Sequence, residues 1–208
     1  MLEGPSITSY LTKYRDRVNI SLSMKSSDNA QYADNQQVSE KTNISDEYFA
    51  GFVDGEGCFY VGFSRREDLP LKWQVITEFH LSQNPKGVVV LEGFKKRLGC
   101  GYIKPNHFKN PRDRSWVLVV KERKDLAEKV IPFFKKHPLH SKKQVDFEVF
   151  AKVIEIIKSK EHLKRKGFKR IVELVFKQAN TSLKKYSKEK LLSSLNLRDY
   201  TPDPPKTE

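Results

Sequence analysis

Only two cysteines, Cys58 and Cys100, occur in 208 residues, and they form no C-x-x-C pair. They cannot make a disulfide framework, and no Cys/His cluster has zinc-ligand spacing, so the chain suits a reducing compartment and needs no structural zinc. Long apolar runs are missing too. None approaches the ~20 residues that a bilayer crossing needs, which excludes a membrane-spanning helix and makes a membrane partner unexpected. The opening stretch, MLEGPSITSYLTKYRDR, lacks the apolar core of a secretory signal, while an organellar presequence stays open. Acidic residues are also short: 26 Asp and Glu against 39 Lys and Arg leave a formal charge of +13. That deficit is local. Residues 1–44 hold five bases and five acids, so the whole surplus belongs to residues 45–208. A basic body suits a polyanionic partner, because each phosphate it neutralises releases condensed counterions. A soluble basic protein of ribosomal type has the same balance, so charge alone does not choose between them.

The length fits one packed domain with appendages better than two domains. Residues 21–43, SLSMKSSDNAQYADNQQVSEKTN, are polar and aperiodic, so residues 1–44 read as a loosely attached or disordered arm. The folded domain is expected over 45–195, and DYTPDPPKTE falls in a flexible tail over 196–208. Ser45 can cap a helix whose first turn carries Asp46 and Glu47, with Ile44 and Phe49 placed as a hydrophobic staple. Gly55 and Gly57 end it. Period-two alternation then predicts strands over 58–66 and 72–83, followed by a helix over 86–99 that buries Val89, Val90, Phe94 and Leu98 and stops at Gly99. Two more strands, 100–104 and 115–120, flank the basic loop PNHFKNPRDR, and helices are expected over 123–135, 142–160 and 168–179. The order αββαββα plus helices is an α+β architecture with one antiparallel sheet.

Alternation also sorts the sheet's two faces. Phe59, Val61, Phe63, Trp73, Val75, Phe79 and Leu81 form an apolar set for burial under helices. The opposite set is polar, basic and aromatic: Tyr60, Gly62, Ser64 and Arg66, then Gln74, Ile76, Glu78 and His80, continued by Lys104 and Asn106. Such a face is an ordinary solvated surface in many proteins. In a strongly basic chain it also suits the DNA major groove, where Arg66 matches guanine, Gln74 and Asn106 match adenine, and Glu78 matches cytosine.

The stretch YFAGFVDGEGCF, residues 48–59, puts Asp54 and Glu56 at the end of the first helix. A turn built of turn-favouring residues accounts for the glycines and Asp54. It leaves Ala50, Gly51 and Gly55 unexplained, since small residues near one helical turn apart let two helices approach backbone to backbone. The chain offers no second such helix, whereas a two-fold axis brings one from a second copy. Glu56 would then face its symmetry mate. Two like charges held together need protons or cations, and carboxylate oxygens suit Mg2+, which in paired sites serves phosphodiester hydrolysis.

FAGFVDGEG, residues 49–57, resembles the signature of the LAGLIDADG homing endonucleases, with Phe for Leu twice, Val for Ile, Gly for Ala and Glu for the last Asp. The stretches FHLSQNPKGVVVLEGFKKRLGCGYI, WVLVVKERKDLAEKVIPFFKKHPL and KKQVDFEVFAKVIEIIKSKEHL extend the resemblance over roughly residues 45–180. It implies a saddle-shaped antiparallel sheet with helices on one face and, because one motif copy is present, a homodimer paired through Phe49, Ala50, Gly51, Val53 and Asp54. It further implies Glu56 as metal ligand and catalytic residue, assisted by the Gly55 carbonyl, with Gln83 positioning the hydrolytic water. Lys143 is the basic residue expected near the scissile phosphate. Lys142 is adjacent, and some relatives carry the active lysine where this chain has Ser141. Tyr60, Ser64, Arg66, Gln74, Glu78, His80, Lys104, Asn106 and Ser115 match strand positions that face DNA, with Arg112 and Arg114 near the strand turn. His80 and His107 belong with DNA contacts or surface groups rather than metal ligands. The function implied is an Mg2+-dependent, intron-encoded DNA endonuclease acting on double-stranded DNA in a mitochondrion or chloroplast, or in a bacterial or archaeal cytoplasm. An RNA-binding maturase and a non-catalytic DNA-binding regulator are the rivals.

Overall fold

The computed structural model describes residues 44–107, 110, 112–177 and 185–196. The chain divides into Met1–Ser45 and Asp46–Glu208, and every element described belongs to the second unit. The expected arm lies outside the described residues up to residue 43, as does the expected tail from residue 197 on.

Helix α1, Asp46–Glu56, opens with Asp46 and Glu47 at the positive end of its dipole and buries Phe49, Ala50 and Val53. Arg97 grips its first residue, with Nε and Nη2 donating to the Asp46 carboxylate at 2.6 and 2.7 Å. Strands β1 (Gly57–Arg65), β2 (Trp73–Gln83), β3 (Tyr102–Pro105) and β4 (Trp116–Val120) form one antiparallel sheet in the order β1-β2-β4-β3. β1 pairs with β2 from Gly57 opposite Leu81 to Arg65 opposite Trp73. The alternation legible in these strands is realised, with Phe59, Val61, Phe63, Trp73, Val75, Phe79 and Leu81 all buried. Phe59 sits at the centre of an aromatic cluster, its ring 5.2–5.6 Å from those of Phe79, Phe134, Phe147 and Phe150. Rings at such spacings contribute beyond their buried area and tie the sheet to its helical layer.

Between β2 and β3 the buried stripe of helix α2 (Val88–Leu98) is Val88, Leu91, Phe94 and Leu98, whereas Val89 is 62% exposed. Phe94 and Leu98 answer the sequence expectation; the first turn does not. The cause is Asn84, whose side chain accepts from Lys86 N and Gly87 N, capping a 3₁₀ turn at Pro85–Gly87 and delaying the α-helix to Val88. Gly99 ends α2 with φ 64°, its N–H bonding Lys95 O at 2.9 Å. A left-handed residue there favours glycine, as expected.

The helix expected over 123–135 is a composite: α3 (Arg123–Asp125), a π turn at Leu126–Val130 and α4 (Ile131–Lys136). Pro132 supplies the reason, since it has no N–H and its ring clashes with the carbonyl four residues back, so the preceding turn widens. Helices α5 (Lys143–Lys158) and α6 (Arg165–Phe176) complete the layer under the sheet. A further helix, α7 (Lys188–Ser193), was not expected. The Ser187 hydroxyl caps it, accepting from Lys190 N at 3.2 Å, while Trp73 Nε1 donates to Ser194 Oγ at 2.7 Å and Leu191 and Leu195 are buried. The capping serine followed by Leu191 and Leu195 at helical spacing was the signal that could have revealed it.

Candidate active site

α1 runs straight into β1, and the reversal between them is tight. A Cβ on Gly57 would lie 2.8 Å from Val53 O and 2.5 Å from Val53 Cγ1, so only glycine lets the strand turn back against the helix's last turn. Glu56 is exposed at that corner. Its neighbours are fixed by an exchange between two helix ends. The Asp54 carboxylate accepts from His140 N at 3.0 Å and from Ser141 N at 3.0 and 3.2 Å, and also takes the Ser141 hydroxyl. Ser141 Oγ in turn accepts from Lys143 N at 3.1 Å. Asp54 thereby caps the entry to α5 from another element. Burial opposes its charge, but the Ser141 hydroxyl and the two N–H groups prevail and hold its carboxyl below the usual aspartate range.

The return half of the exchange is Lys143. Its Nζ donates to Gly57 O at 2.6 Å and to Gly55 O at 3.1 Å, so an ammonium sits on the carbonyls either side of Glu56. Of the basic candidates, Lys143 is the one placed at the corner; Ser141 is engaged with Asp54, and Lys142 is exposed. Gln83 ends β2 two residues beyond Leu81, the pairing partner of Gly57, and its Oε1 accepts from Asn84 N at 2.7 Å. Among the described residues, no group of three or more His, Cys, Asp or Glu stands ready to hold a metal. What the chain offers at this corner is a carboxylate beside backbone carbonyls already engaged by a cation. That hard-oxygen donor set fits Mg2+ or Ca2+, which complete their shells with water and phosphate oxygens.

Register assembles the expected DNA-facing residues on the sheet face opposite the helices. Tyr60 lies across from Glu78, Ser64 from Gln74 and Lys104 from Val117, while Asn106 N donates to Ser115 O at 2.9 Å just past the strand ends. Several arrive already paired. His80 Nε2 donates to Glu78 Oε2 at 2.7 Å and stacks on Tyr60 with ring planes 5° apart, and Lys121 Nζ approaches Glu78 Oε1 at 3.0 Å. Burial, partly offset by Glu78, pulls the His80 pKa below the ordinary histidine value. Burial works against the Glu78 charge as well, yet Lys121 and His80 keep that carboxyl below the usual range. Arg66 is held in a fork by Asp68 at 2.9 and 2.8 Å, so it meets a ligand as a paired rather than a bare cation. Asp113 organises the turn, where the Ser115 hydroxyl and N–H, then His107, draw its pKa down to about 2; Arg112 and Arg114 are exposed beside it. Sequence reasoning missed Lys121 and Tyr102, which join this face through the short strands, because Lys121 follows a strand that is buried throughout.

Burial divides the expected pairing positions. Phe49, Ala50 and Val53 are 2%, 6% and 0% exposed, with the Phe49 ring 4.7 Å from that of Phe94 and tilted 40° to it, so their side chains serve the chain's own core. Asp54 serves the α5 cap. Ala50 turns into the core while Gly51 is exposed, so the two do not lie on one face. The open side of α1 carries Tyr48, Gly51, Phe52 and Gly55, with nothing within 4 Å of a Cβ built on either glycine and the Tyr48 and Phe52 rings stacked at 6.1 Å.

Residues 49–154 match the family described as LAGLIDADG endonuclease. A curated relative, probable intron-encoded endonuclease 2 of Neurospora crassa, is 30% identical over 61% of this chain, which spans only 26% of that relative's length. The crystal structure of the homing endonuclease I-TnaI superposes with a TM-score of 0.63 at 35% identity, covering 74% of this chain and 97% of that one. I-SmaMI bound to an uncleaved DNA target in the presence of calcium ions superposes at 0.61 and 28% identity, over 66% of this chain and 46% of that one.

Proposed function

The chain belongs to the LAGLIDADG endonuclease family, and from that premise we propose that it is an intron-encoded, site-specific endonuclease cutting a long, nearly palindromic DNA duplex as a homodimer with Mg2+. The observation that carries this reading is the corner at Glu56, where a solvent-facing carboxylate, two backbone carbonyls and the Lys143 ammonium meet at one end of a basic sheet face.

Glu56 and the Gly55 carbonyl would hold the divalent ion, which supplies neutralising charge to the attacking and leaving oxygens of phosphodiester hydrolysis. Gln83, at the end of β2, orients the attacking water. Lys143 stabilises charge that develops on the scissile phosphate. The sheet face supplies recognition through Gln74, Glu78, His80, Lys104, Asn106 and Ser115, with Tyr60, Ser64, Arg66, Arg112 and Arg114 at its margins. Lys121 and Tyr102 extend the set. A glutamate from each subunit completes the centre, so the two open faces of α1, not its buried residues, meet across the two-fold axis. Residues 45–195 form the endonuclease domain, with residues 1–44 an appended arm and 196–208 a tail.

The calcium-bearing I-SmaMI complex with DNA supports duplex DNA and divalent metal as the ligands. The intron-encoded fungal relative supports an intron as the coding context, and the reading places that intron in a mitochondrion in the first instance. A maturase role on RNA is the weaker reading, because I-TnaI is a homing endonuclease and the Neurospora relative is a probable intron-encoded endonuclease. A library of intron-insertion junctions incubated with the protein and Mg2+ tests the proposal. Double-strand cleavage at one junction, abolished by chelator and by Glu56→Gln, is expected; selective intron-RNA binding without cleavage of any junction contradicts it.

A further inference from the structure

Both helix ends at the corner carry the charge that their own dipole disfavours. α1 has no basic residue in its last turn and finishes on Glu56, while α5 begins on Lys143. A helix C-terminus concentrates partial negative charge on its unsatisfied carbonyls and attracts a cation. Lys143 answers from across the junction, with its ammonium 3.1 Å from Gly55 O and 2.6 Å from Gly57 O. Its backbone is fixed through the Ser141 hydroxyl, and the same hydroxyl is held by Asp54. Two carbonyl oxygens of the α1–β1 junction thus hold a place for positive charge, and a lysine tethered by a separate bond network fills it.

We propose that Lys143 is the resident cation of the metal site: in the metal-free protein its ammonium occupies the carbonyl that a divalent ion requires, and metal binding displaces it toward the phosphate. This rests on the reading of Glu56 and Gly55 as metal ligands. A metal on Gly55 O, at about 2.1 Å, would stand no more than about 5 Å from the ammonium, where two cations repel away from bulk water. The longer of the two lysine bonds is the one given up. Two consequences follow from the proposal. The helix–strand corner is held in its working shape before metal arrives, and the lysine becomes available to substrate only when metal is loaded.

Mn2+ titrations read by electron paramagnetic resonance on wild type, Lys143→Met, Glu56→Gln and the double variant test this without any turnover. Lys143→Met should bind Mn2+ about tenfold more tightly than wild type, and Glu56→Gln should remove that binding in both backgrounds. Unchanged or weaker binding by Lys143→Met, with Glu56→Gln still abolishing it, overturns the resident-cation proposal and leaves the metal assignment intact. Mn2+ retained by Glu56→Gln overturns the assignment itself. Should Lys143→Met not fold, lysine-labelled wild type decides by nuclear magnetic resonance, with the Lys143 signal identified by its loss in Lys143→Arg. That signal must move with Mg2+ binding, and a signal that stays fixed through saturation refutes displacement.

Discussion

Asp54 and Glu56 stand two residues apart at the end of one helix, and the fold gives them different work. Asp54 is engaged by the entry to α5, while Glu56 is exposed. Hydrogen bonds to a charged group contribute about 1.5–3 kcal/mol each. Taking one such bond as the net loss, Asp54→Asn should lower the melting temperature by roughly 3–12 °C for a domain of this size. Calorimetry reads this directly. Glu56→Gln, which removes a charge from a solvent-facing corner, should leave the melt within about 1–2 °C of wild type. The sign of the pH dependence follows from the lowered Asp54 pKa. Its contribution is present above the unfolded aspartate value of about 3.9 and is lost as pH falls through the still lower folded value. Urea denaturation should therefore separate wild type from Asp54→Asn at pH 7 and bring the two together near pH 2. A gap of constant size across that range would mean that Asp54 acts through packing rather than charge.

At the scale of elements, α1 has one face in the core and one in the open. Val53→Ala should cost the subunit about 1.5 kcal/mol, from two methyl-sized groups at about 0.8 kcal/mol each. Gly51→Ala should do the opposite. A Cβ there meets nothing within 4 Å, and alanine is favoured over glycine inside a helix by about 0.8–1 kcal/mol. The subunit gains stability while close pairing of two α1 helices weakens, so urea melts and sedimentation equilibrium should move in opposite senses for this one variant. The two faces of β1 and β2 were legible in the sequence because period two admits one register, and a one-residue slip would have buried Glu78 and exposed Phe79. The same alternation put Tyr60, Gln74 and His80 correctly on the outer face. Other features were hidden for stated reasons. Asn84 shifted the start of α2, Pro132 widened a turn, and α7 rests on contacts with Trp73 that lie far away in the sequence. Phe49, Ala50 and Val53, expected to pair with a second copy, turn into the core, because a motif names positions whereas only packing decides which of them the core consumes. The Asp54–Ser141 and Lys143–Gly55 links join residues 87 and 88 positions apart and have no periodic signature.

For the whole molecule the governing quantity is charge. A formal +13 accompanies a sheet face whose acids are already matched, Glu78 by Lys121 and His80, and Asp68 by Arg66. The logarithm of DNA affinity should fall linearly with the logarithm of salt concentration, and removing one phosphate-contacting cation should reduce the slope by about one. Lys104→Ala, on the outer face of β3, is the variant to measure by fluorescence anisotropy across a salt series; an unchanged slope would remove Lys104 from the phosphate contacts. In the proposed function recognition and cutting meet at the corner where α1 becomes β1, and there each chain supplies one Glu56. The most direct measurement is anomalous scattering from Mn2+ in crystals of the protein on its cleaved target duplex. The account predicts manganese bound by Glu56 from each of two subunits, with the Gly55 carbonyl in the same shell. Manganese bound elsewhere, with both Glu56 side chains away from the ions, would contradict it.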